Sequence, residues 1–357
     1  MKVELKQLND AIKMASVIAP KRPIHPVLGT LLYEKRQSTL YIAAFNLSRG
    51  IITSIPIQEA DSSEIKFMIG SQLIKDLLKS RIGTIEIDFV DNKLGLTSDG
   101  SRIELETYTD SDFPELPDLT RAIASFSLNS KILKKAITAC KKIATHPITI
   151  NSTSNLLTIQ GTDGHSVTLY RTNLKTSTPD FAFTFDPADL RINDKGDTTI
   201  SIYSDWISFT SKSTTQFSTR AERTVNEISI KHYHPLSYLH SAQKNELQRQ
   251  LDIAACYGMK EINLKFDPDW PTIKIEGQCE TGALFSEILA ETKFTANILI
   301  DLKAVKKNIK SFAKEQIILE IAYGEKKEIP YLIISQPGCD YSIAIAAKNK
   351  LPALTSL

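Results

Sequence analysis

The sequence predicts an α+β protein built from three copies of one domain. Short β-branched segments, such as residues 84–89 and 93–97, are separated by Gly, Asn-Lys and Ser-Asp-Gly turn signals, a pattern typical of antiparallel sheets. Amphipathic helical patterns interrupt these segments, and the same order of elements returns twice. The second helices begin near residues 71, 187 and 301, so the period is about 115 residues, which is the size of a whole domain.

The first repeat has a helix followed by strands, a second helix and further strands. Apolar residues recur at three- and four-residue spacing in the first helix, namely Leu5, Leu8, Ile12, Ala15 and Ile18. The second helix starts at Ser71, which we expect to be its N-cap. The strand-like segments are residues 31–43, 51–57, 65–69, 84–89, 93–97 and 101–108.

The second and third repeats have the same order. In the second, a helix is predicted over residues 129–143, strands over 156–160 and 167–171, and a short second helix over 187–192 with Asp186 as its cap. In the third, a helix starts near Asn245, strands cover 261–266 and 272–276, and the second helix covers 301–312. Proline-rich connections place the domains at residues 1–120, 121–241 and 242–347, followed by a tail at 348–357.

Composition excludes several classes of protein. The 357 residues are 42% hydrophobic and 24% charged with a net charge of +2, which is unlike a disordered or fibrous chain. Apolar runs are far shorter than the roughly 20 residues of a membrane span, and the N-terminus lacks the apolar centre of a signal peptide, so we expect a cytoplasmic protein. Four scattered cysteines predict buried thiols and no metal site.

Lysines recur on one face of the predicted helices. A lysine face on a single helix is most often only solvated, but its presence in all three repeats favours a surface for a polyanion. The remaining strands and loops are then comparatively acidic, as at residues 84–91. These lysines are Lys75 and Lys79 in the first repeat, Lys131, Lys134, Lys135, Lys141 and Lys142 in the second, and Lys303, Lys306, Lys307 and Lys310 in the third.

No catalytic motif is present. The sequence has no GxSxG, P-loop, GxGxxG or HExxH, and His232 and His234 lack the further ligands of a metal site. We therefore predict no enzyme activity, no cofactor and no metal. A β-rich hydrolase that uses paired carboxylates remains an alternative, because their pairing in space is invisible in a sequence.

Three strings make the repeat pattern specific: RPIHPVLGTLLYE at 22–34, TDSDFPELP at 109–117 and TDGHSVTL at 162–169. With the repeats and the length, they make residues 1–347 resemble the bacterial DNA polymerase III beta subunit, the sliding clamp. The resemblance implies a head-to-tail homodimer whose six domains form a ring around duplex DNA, with helices lining the hole and antiparallel sheets outside. It further implies a processivity factor that contacts DNA through Lys21 and Arg22.

The resemblance also implies a pocket on the second and third domains, where polymerases and the clamp loader bind through short peptides. Matching positions in this chain are Thr162, Gly164, His165, Ser166, Val167, Pro235, Leu239, Pro330, Ile343, Ala344 and Ile345. The chain departs from the family pattern here: Ser166 replaces the usual arginine, the interdomain segment is degraded, and Ala344–Ala347 replaces the usual methionine-bearing ending. These changes predict a smaller pocket for a variant peptide.

The dimer contact implied by the resemblance joins the strand around Ile103 and Leu105 to the end of the third domain's first helix, around Cys256 and Tyr257. The alternative function is that of a diverged clamp-fold protein that binds or sequesters a replication partner without acting as a ring.

Overall fold

The computed structural model describes most of the chain. Its described residues are 1–58, 65–79, 83–90, 92–98, 100–108, 112–143, 147–163, 166–193, 195–221, 234–235, 240–267, 272–280, 282–291, 296–310, 312, 315–323, 330–336 and 341–348. The predicted tail, apart from Lys348, therefore lies outside the described residues.

The first repeat contains two helices, a short 3-10 helix and eight strands. In chain order they are β1 (Lys2–Glu4), α1 (Leu5–Ala15), the 3-10 helix Pro26–Gly29, β2 (Thr30–Arg36), β3 (Thr39–Phe45), β4 (Arg49–Pro56), β5 (Ile65–Gly70), α2 (Ser71–Leu78), β6 (Thr84–Val90), β7 (Lys93–Ser98) and β8 (Ser101–Glu106). One detail of the prediction is wrong: Gly70 occupies the N-cap position of α2 and Ser71 is its first helical residue.

The second repeat begins with the same order. Its elements are β9 (Ala124–Asn129), α3 (Ser130–Ile143), β10 (Ile148–Thr153), β11 (Leu156–Thr162), β12 (Ser166–Asn173), β13 (Phe181–Phe185), β14 (Asp197–Ile202), β15 (Trp206–Ser211) and β16 (Thr214–Thr219).

The third repeat contains two helices, as the first does. Its elements, after a two-residue bridge β17 (His234–Pro235), are β18 (His240–Gln243), α4 (Lys244–Cys256), β19 (Glu261–Phe266), β20 (Thr272–Cys279), β21 (Gly282–Glu291), β22 (Ala296–Asp301), α5 (Leu302–Ile309), β23 (Gln316–Tyr323), β24 (Pro330–Ser335) and β25 (Tyr341–Ala346). The order of strand, helix, four strands, helix and three strands is thus common to the first and third repeats.

The second repeat lacks the helix predicted over residues 187–192. The chain makes one turn there, with the Leu190 N–H donating to the Pro187 carbonyl, and then runs without helical hydrogen bonds. The Asp186 carboxylate does accept the Ala188 N–H, as a cap would, at 2.9 Å. The buried Gln216 side chain then binds both backbone groups of Arg191 and so ends the turn after a few residues.

The described residues form two compact units. One contains residues 1–134 and 185–220, and the other contains 135–184 and 221–357. In the first unit, an eight-stranded sheet has the order β5-β2-β3-β4-β16-β15-β14-β9, and a second sheet has the order β1-β6-β7-β8. The β4–β16 pairing joins strands of the first and second repeats in one sheet, so this sheet continues across the predicted boundary between the first two domains. The predicted domain boundaries therefore stay predictions.

The other unit has one large sheet in which strands of the second and third repeats pair directly. Its order is β13-β10-β11-β12-β25-β24-β23-β18-β21-β20-β19-β22. The β12–β25 pairing sets Val167 opposite Ala344 and Ser166 opposite Ile345. This register matters because the predicted partner pocket lies on these two strands.

The helices pack on one face of these sheets through the apolar stripes seen in the sequence. Leu5, Leu8 and Ile12 of α1 are buried with strand residues of the first repeat, and Leu302, Val305 and Ile309 of α5 are buried with those of the third. Burying such stripes is what drives helix and sheet together, at about 25 cal/mol per Å² of apolar surface. The polar faces of the helices are left at the surface.

Candidate nucleic-acid and partner interfaces

The helix α3 carries the densest basic surface among the repeated helices. It packs Leu133, Ala136, Ile137 and Cys140 into the interior and has no acidic residue along its length. Ile132, which the sequence pattern places on the apolar face, is instead 39% exposed. The five predicted lysines are all exposed: Lys131, Lys134, Lys135, Lys141 and Lys142.

The lysines of α5 are partly neutralised by acids of the same unit. Lys306 Nζ lies 2.7 Å from Asp252 Oδ1 on α4, and Lys307 Nζ lies 3.8 Å from Asp163 Oδ2. The hydrogen bond from Lys306 lowers the pKa of Asp252 below its usual value. Lys303 and Lys310 are exposed on the same helix. The positive charge that α5 offers to a ligand is therefore smaller than its sequence indicates.

The helix α2 also has a lysine that is paired with an acid. Lys79 Nζ lies 2.6 Å from Asp76 Oδ1, and this hydrogen bond is the largest cause of the lowered pKa of Asp76. Lys75 is half-buried on the same helix. Because acids interleave the lysines of α2 but not those of α3, we expect the two helices to contribute unequally to binding a polyanion.

Lys21 and Arg22 lie exposed in the turn that follows α1. Prolines at positions 20, 23 and 26 restrict this segment, since proline fixes the backbone angle φ. Gly29 allows a close approach here, because a Cβ at that position would lie 3.0 Å from Pro23 Cγ. The two cations are thus held on a stiff segment.

A small apolar cluster covers the face of the large sheet opposite α4 and α5. Val167 and Leu169 of β12, Ala344 of β25 and Ile333 of β24 are buried there, with Tyr331 partly buried beside them. Val167, Ala344, Ile333 and Glu320 follow one another across four paired strands. We call Val167, Leu169, Ile333, Ala344 and Tyr331 the outer cluster.

The structure separates the residues predicted for the partner pocket. Val167 and Ala344 belong to the outer cluster, whereas Ile343 and Ile345 face the opposite side and lie in the core with α5. Pro330 is buried on β24, Thr162 is buried at the end of β11, and Pro235 pairs with Ala322. Gly164, His165 and Leu239 lie outside the described residues.

Ser166 ties the start of β12 to α5. Asn308 on that helix donates from Nδ2 to Ser166 Oγ at 3.3 Å in a buried position, and the Ser166 N–H donates to Asp163 Oδ1 at 2.7 Å. A buried hydrogen bond of this kind contributes about 1 kcal/mol and restricts the geometry of its partners. Ser166 thus points towards the helix face and not into the outer cluster.

Sequence reasoning did not identify Leu169, Tyr331, Ile333 and Glu320 beside the predicted pocket. A strand is predicted over residues 167–171, but which residues meet across strands depends on a register that only the paired structure gives. Burial is the main reason that the pKa of Glu320 is raised, and the charge of Arg171 acts in the opposite direction. The outer cluster therefore has an acidic group at one end.

A family model described as the DNA polymerase III beta subunit, N-terminal domain, matches residues 1–117. The beta sliding clamp of Synechococcus elongatus is 28% identical over 200 residues, which cover 52% of this chain and 52% of that protein. The beta sliding clamp of a Synechocystis species is 28% identical over 178 residues, 44% of each chain. Over residues 1–117 the chain therefore matches the family model of the beta subunit's N-terminal domain, and about half of it is similar in sequence to beta sliding clamps.

Solved clamp structures extend the likeness of the fold to nearly the whole chain. A DNA polymerase sliding clamp from Pseudomonas aeruginosa gives a TM-score of 0.81 at 14% identity and covers 98% of this chain and 99% of its own. The sliding clamp from Bacillus subtilis gives 0.79 at 15% identity, with 98% of each chain covered. At these identities the likeness shows the clamp fold. In sequence, the matched region spans about half the length of the curated clamp relatives.

The residues predicted for a clamp dimer contact lie at element ends. Ile103 and Leu105 are half-buried on β8, which is the last strand of its sheet within the described part of the chain. Cys256 and Tyr257 are exposed at the end of α4, where the Tyr257 carbonyl accepts a bond from Cys279 Sγ at 3.0 Å. Phe285 on β21 is also strongly exposed, which sequence reasoning did not predict. That these residues meet in a dimer stays a prediction.

Within the described ranges, no group of three or more His, Cys, Asp or Glu side chains is arranged to hold a metal ion. Among the same residues, no helix has the length and apolar content that a membrane span requires.

Proposed function

We propose that the chain is a processivity factor for a DNA polymerase, a ring-shaped homodimer that encircles duplex DNA and slides along it. The observation that carries the proposal is α3, with five exposed lysines and no acid in a chain whose net charge is only +2. Lysine contacts to phosphates do not depend on base sequence, so such a surface binds DNA without fixing the protein at one site.

Encirclement explains why weak contacts suffice for this role. A closed ring stays on DNA by topology, and a polymerase tethered to it remains at high effective concentration near the primer end. The role requires no chemistry at the ring itself. In this proposal the chain is a non-catalytic accessory subunit of the cytoplasm, without a cofactor or metal.

The ring requires a head-to-tail dimer of three-domain chains. We assign one side of the contact to Ile103 and Leu105 on β8 and the other to Cys256 and Tyr257 after α4. The exposure of Tyr257, and of Phe285 in the same repeat, supports the second side, because exposed apolar surface of this kind marks association sites.

The polymerase and the clamp loader bind through short peptides at the outer cluster. Val167, Leu169, Ile333 and Ala344 form the apolar floor of this pocket and Tyr331 its edge. Thr162, Gly164, His165, Pro235 and Leu239 remain proposed members from the turn and the interdomain segment. Alanines stand at 344 and 346, where the family pattern has its methionine-bearing ending, so we expect a pocket whose shape differs from the usual one.

Primer extension tests this function. The replicative polymerase and clamp loader of the source cell are supplied with primed circular DNA, and the length of product made in one binding event is measured with and without the chain. We expect much longer products with the chain present. Unchanged or shorter products would favour the alternative, a clamp-fold protein that sequesters a replication partner.

A further inference from the structure

A cleft of about 310 Å³ opens in the first unit, on the face of the eight-stranded sheet that carries α1. One wall is α1, the floor is β4 with the β15–β16 hairpin, and the far wall is the irregular segment at residues 191–193. None of the residues predicted to bind DNA or a partner lines this cleft.

The far wall of the cleft belongs to the segment in which the second repeat lacks a second helix. The first and third repeats have eight-residue helices, α2 and α5, at this point of the element order. In the second repeat, Gln216 accepts the Arg191 N–H at Oε1, 2.8 Å away, and donates from Nε2 to the Arg191 carbonyl. This buried glutamine fixes the backbone of Arg191 at the rim of the cleft and leaves its guanidinium group exposed.

The acids of the same segment are held away from the cleft. Arg49 binds Asp189 at 2.5 Å and lies 3.7 Å from Asp186, and neither aspartate lines the cleft. On the opposite rim, Lys212 is exposed in the β15–β16 turn. The charges at the cleft are therefore two cations, Arg191 and Lys212, and one acid, Asp10.

The carboxylate of Asp10 does not neutralise Arg191 and Lys212. It lies on α1, with its carboxylate 3.9 Å from Lys13 Nζ. The floor supplies hydroxyl groups, including Thr53 and Thr214, which are 3.2 Å apart. Ser211 Oγ, also at the cleft, has no hydrogen-bond partner among the described residues. Cations with nearby hydroxyl donors are the groups that proteins use to bind phosphate oxygens.

We propose that this cleft binds a backbone phosphate of duplex DNA, with Arg191 and Lys212 as the two cations. The inference rests on the proposed function, since it adds a DNA contact on the face of the first unit that carries α1. Arg191 in the loop and Lys212 in the hairpin turn would thus bind phosphate in the second repeat, as we propose that the lysines of α2 and α5 do in the first and third repeats. Gln216 is the positioning residue, because it acts only through the backbone of Arg191.

The salt dependence of DNA binding tests the cleft. Each neutralised phosphate contributes about 0.9 to the slope of log affinity against log salt concentration. Arg191 and Lys212 share one phosphate, so the Arg191→Gln, Lys212→Gln double variant should lower that slope by about 0.9. The full-length chain is titrated with fluorescent duplex DNA over a series of salt concentrations. The matched control is Lys93→Gln, Lys175→Gln, which removes two exposed lysines outside the cleft.

A reduced slope for the cleft variant alone, with an unchanged unfolding temperature, supports the proposal. The charge-preserving variant Arg191→Lys, Lys212→Arg should keep the original slope. A cleft variant with the same slope as its control would overturn the cleft proposal. In that case, a lowered slope for Lys131→Gln, Lys135→Gln on α3 would leave the proposed function standing, and an unchanged slope there would count against both.

Discussion

Glu320 is a half-buried carboxylate whose burial raises its pKa. A folded-state pKa above the unfolded value means that stability is present at acid pH and is lost as the pH rises through the folded pKa. Glu320→Gln removes that ionisation. We therefore expect the variant to gain stability over the original chain as the pH is raised from about 4 to 8, measured by thermal unfolding.

Glu246 is the control for Glu320, because its pKa is shifted in the opposite direction. Hydrogen bonds, first that of Arg249, lower the pKa of the half-buried Glu246, so its contribution is present above the unfolded pKa and is lost as the pH falls. Glu246→Gln should therefore lose stability relative to the original chain at neutral pH and match it in acid. Equal pH profiles for Glu320→Gln and the original chain would show that burial does not control the Glu320 pKa.

Tyr331 provides the sharpest test of the outer cluster, because it lies at the edge and not in the core. Tyr331→Ala should weaken binding of a fluorescent consensus clamp-binding peptide roughly tenfold, or about 1.4 kcal/mol, the size of a typical aromatic contact at an interface. Tyr108→Ala is the control, since Tyr108 is an exposed tyrosine in the first repeat. Equal weakening by both variants, or saturable binding unaffected by either, would contradict the pocket assignment.

At the scale of residues, the sequence identified the strands of the pocket but could not sort their faces. Ile343, Ala344 and Ile345 are neighbours in the chain, yet only Ala344 reaches the outer cluster. Successive strand residues point to opposite faces, so one position of register decides which residue is available to a partner. That register is set by pairing with β12 and β24, far away in sequence.

At the scale of elements, the unequal lysine helices make a direct prediction. Lys131→Gln, Lys135→Gln on α3 should lower the salt slope of DNA binding by about 1.8, because both side chains are removed from a helix without acids. The corresponding Lys75→Gln, Lys79→Gln variant on α2 should have a smaller effect, since Asp76 already binds Lys79. Slopes measured by fluorescence titration decide the point, and equal changes would contradict the ranking.

The longer helices could be predicted from periodicity alone. The stripes of α1, α3, α4 and α5 are long enough to specify helices, and the sequence located each of them. The helix predicted at residues 187–192 failed because its short pattern competes with tertiary contacts: Gln216 binds the backbone of Arg191, and Asp186 and Asp189 bind Arg49. Short helices depend on such contacts more than on propensity.

At the scale of the whole molecule, the dimer carries a prediction about mass. A ring requires two chains of 39.8 kDa each, so sedimentation at micromolar concentration should give a species of twice that mass. Leu105→Asp should shift the protein to the single-chain mass, because a buried charge disfavours an apolar interface. Leu28→Asp, in the 3-10 helix of the same repeat, is a control for general effects on folding. A single-chain species for the original protein would contradict the ring.

The low net charge is compatible with a DNA-encircling role because its distribution is uneven. Five exposed lysines are concentrated on α3, whereas β6, with its flanking residue Asp91, contributes three acids. Total charge affects solubility and long-range attraction, but the density of cations on one surface decides how strongly it holds phosphates.

Retention on DNA of defined topology tests the central claim most directly. The chain is loaded onto nicked circular DNA with the clamp loader of the source cell, free protein is removed, and bound protein is measured before and after a restriction enzyme linearises the circle. An encircling ring should stay on the circle and leave from the ends within minutes of cleavage. Equal retention on circular and linearised DNA would contradict encirclement.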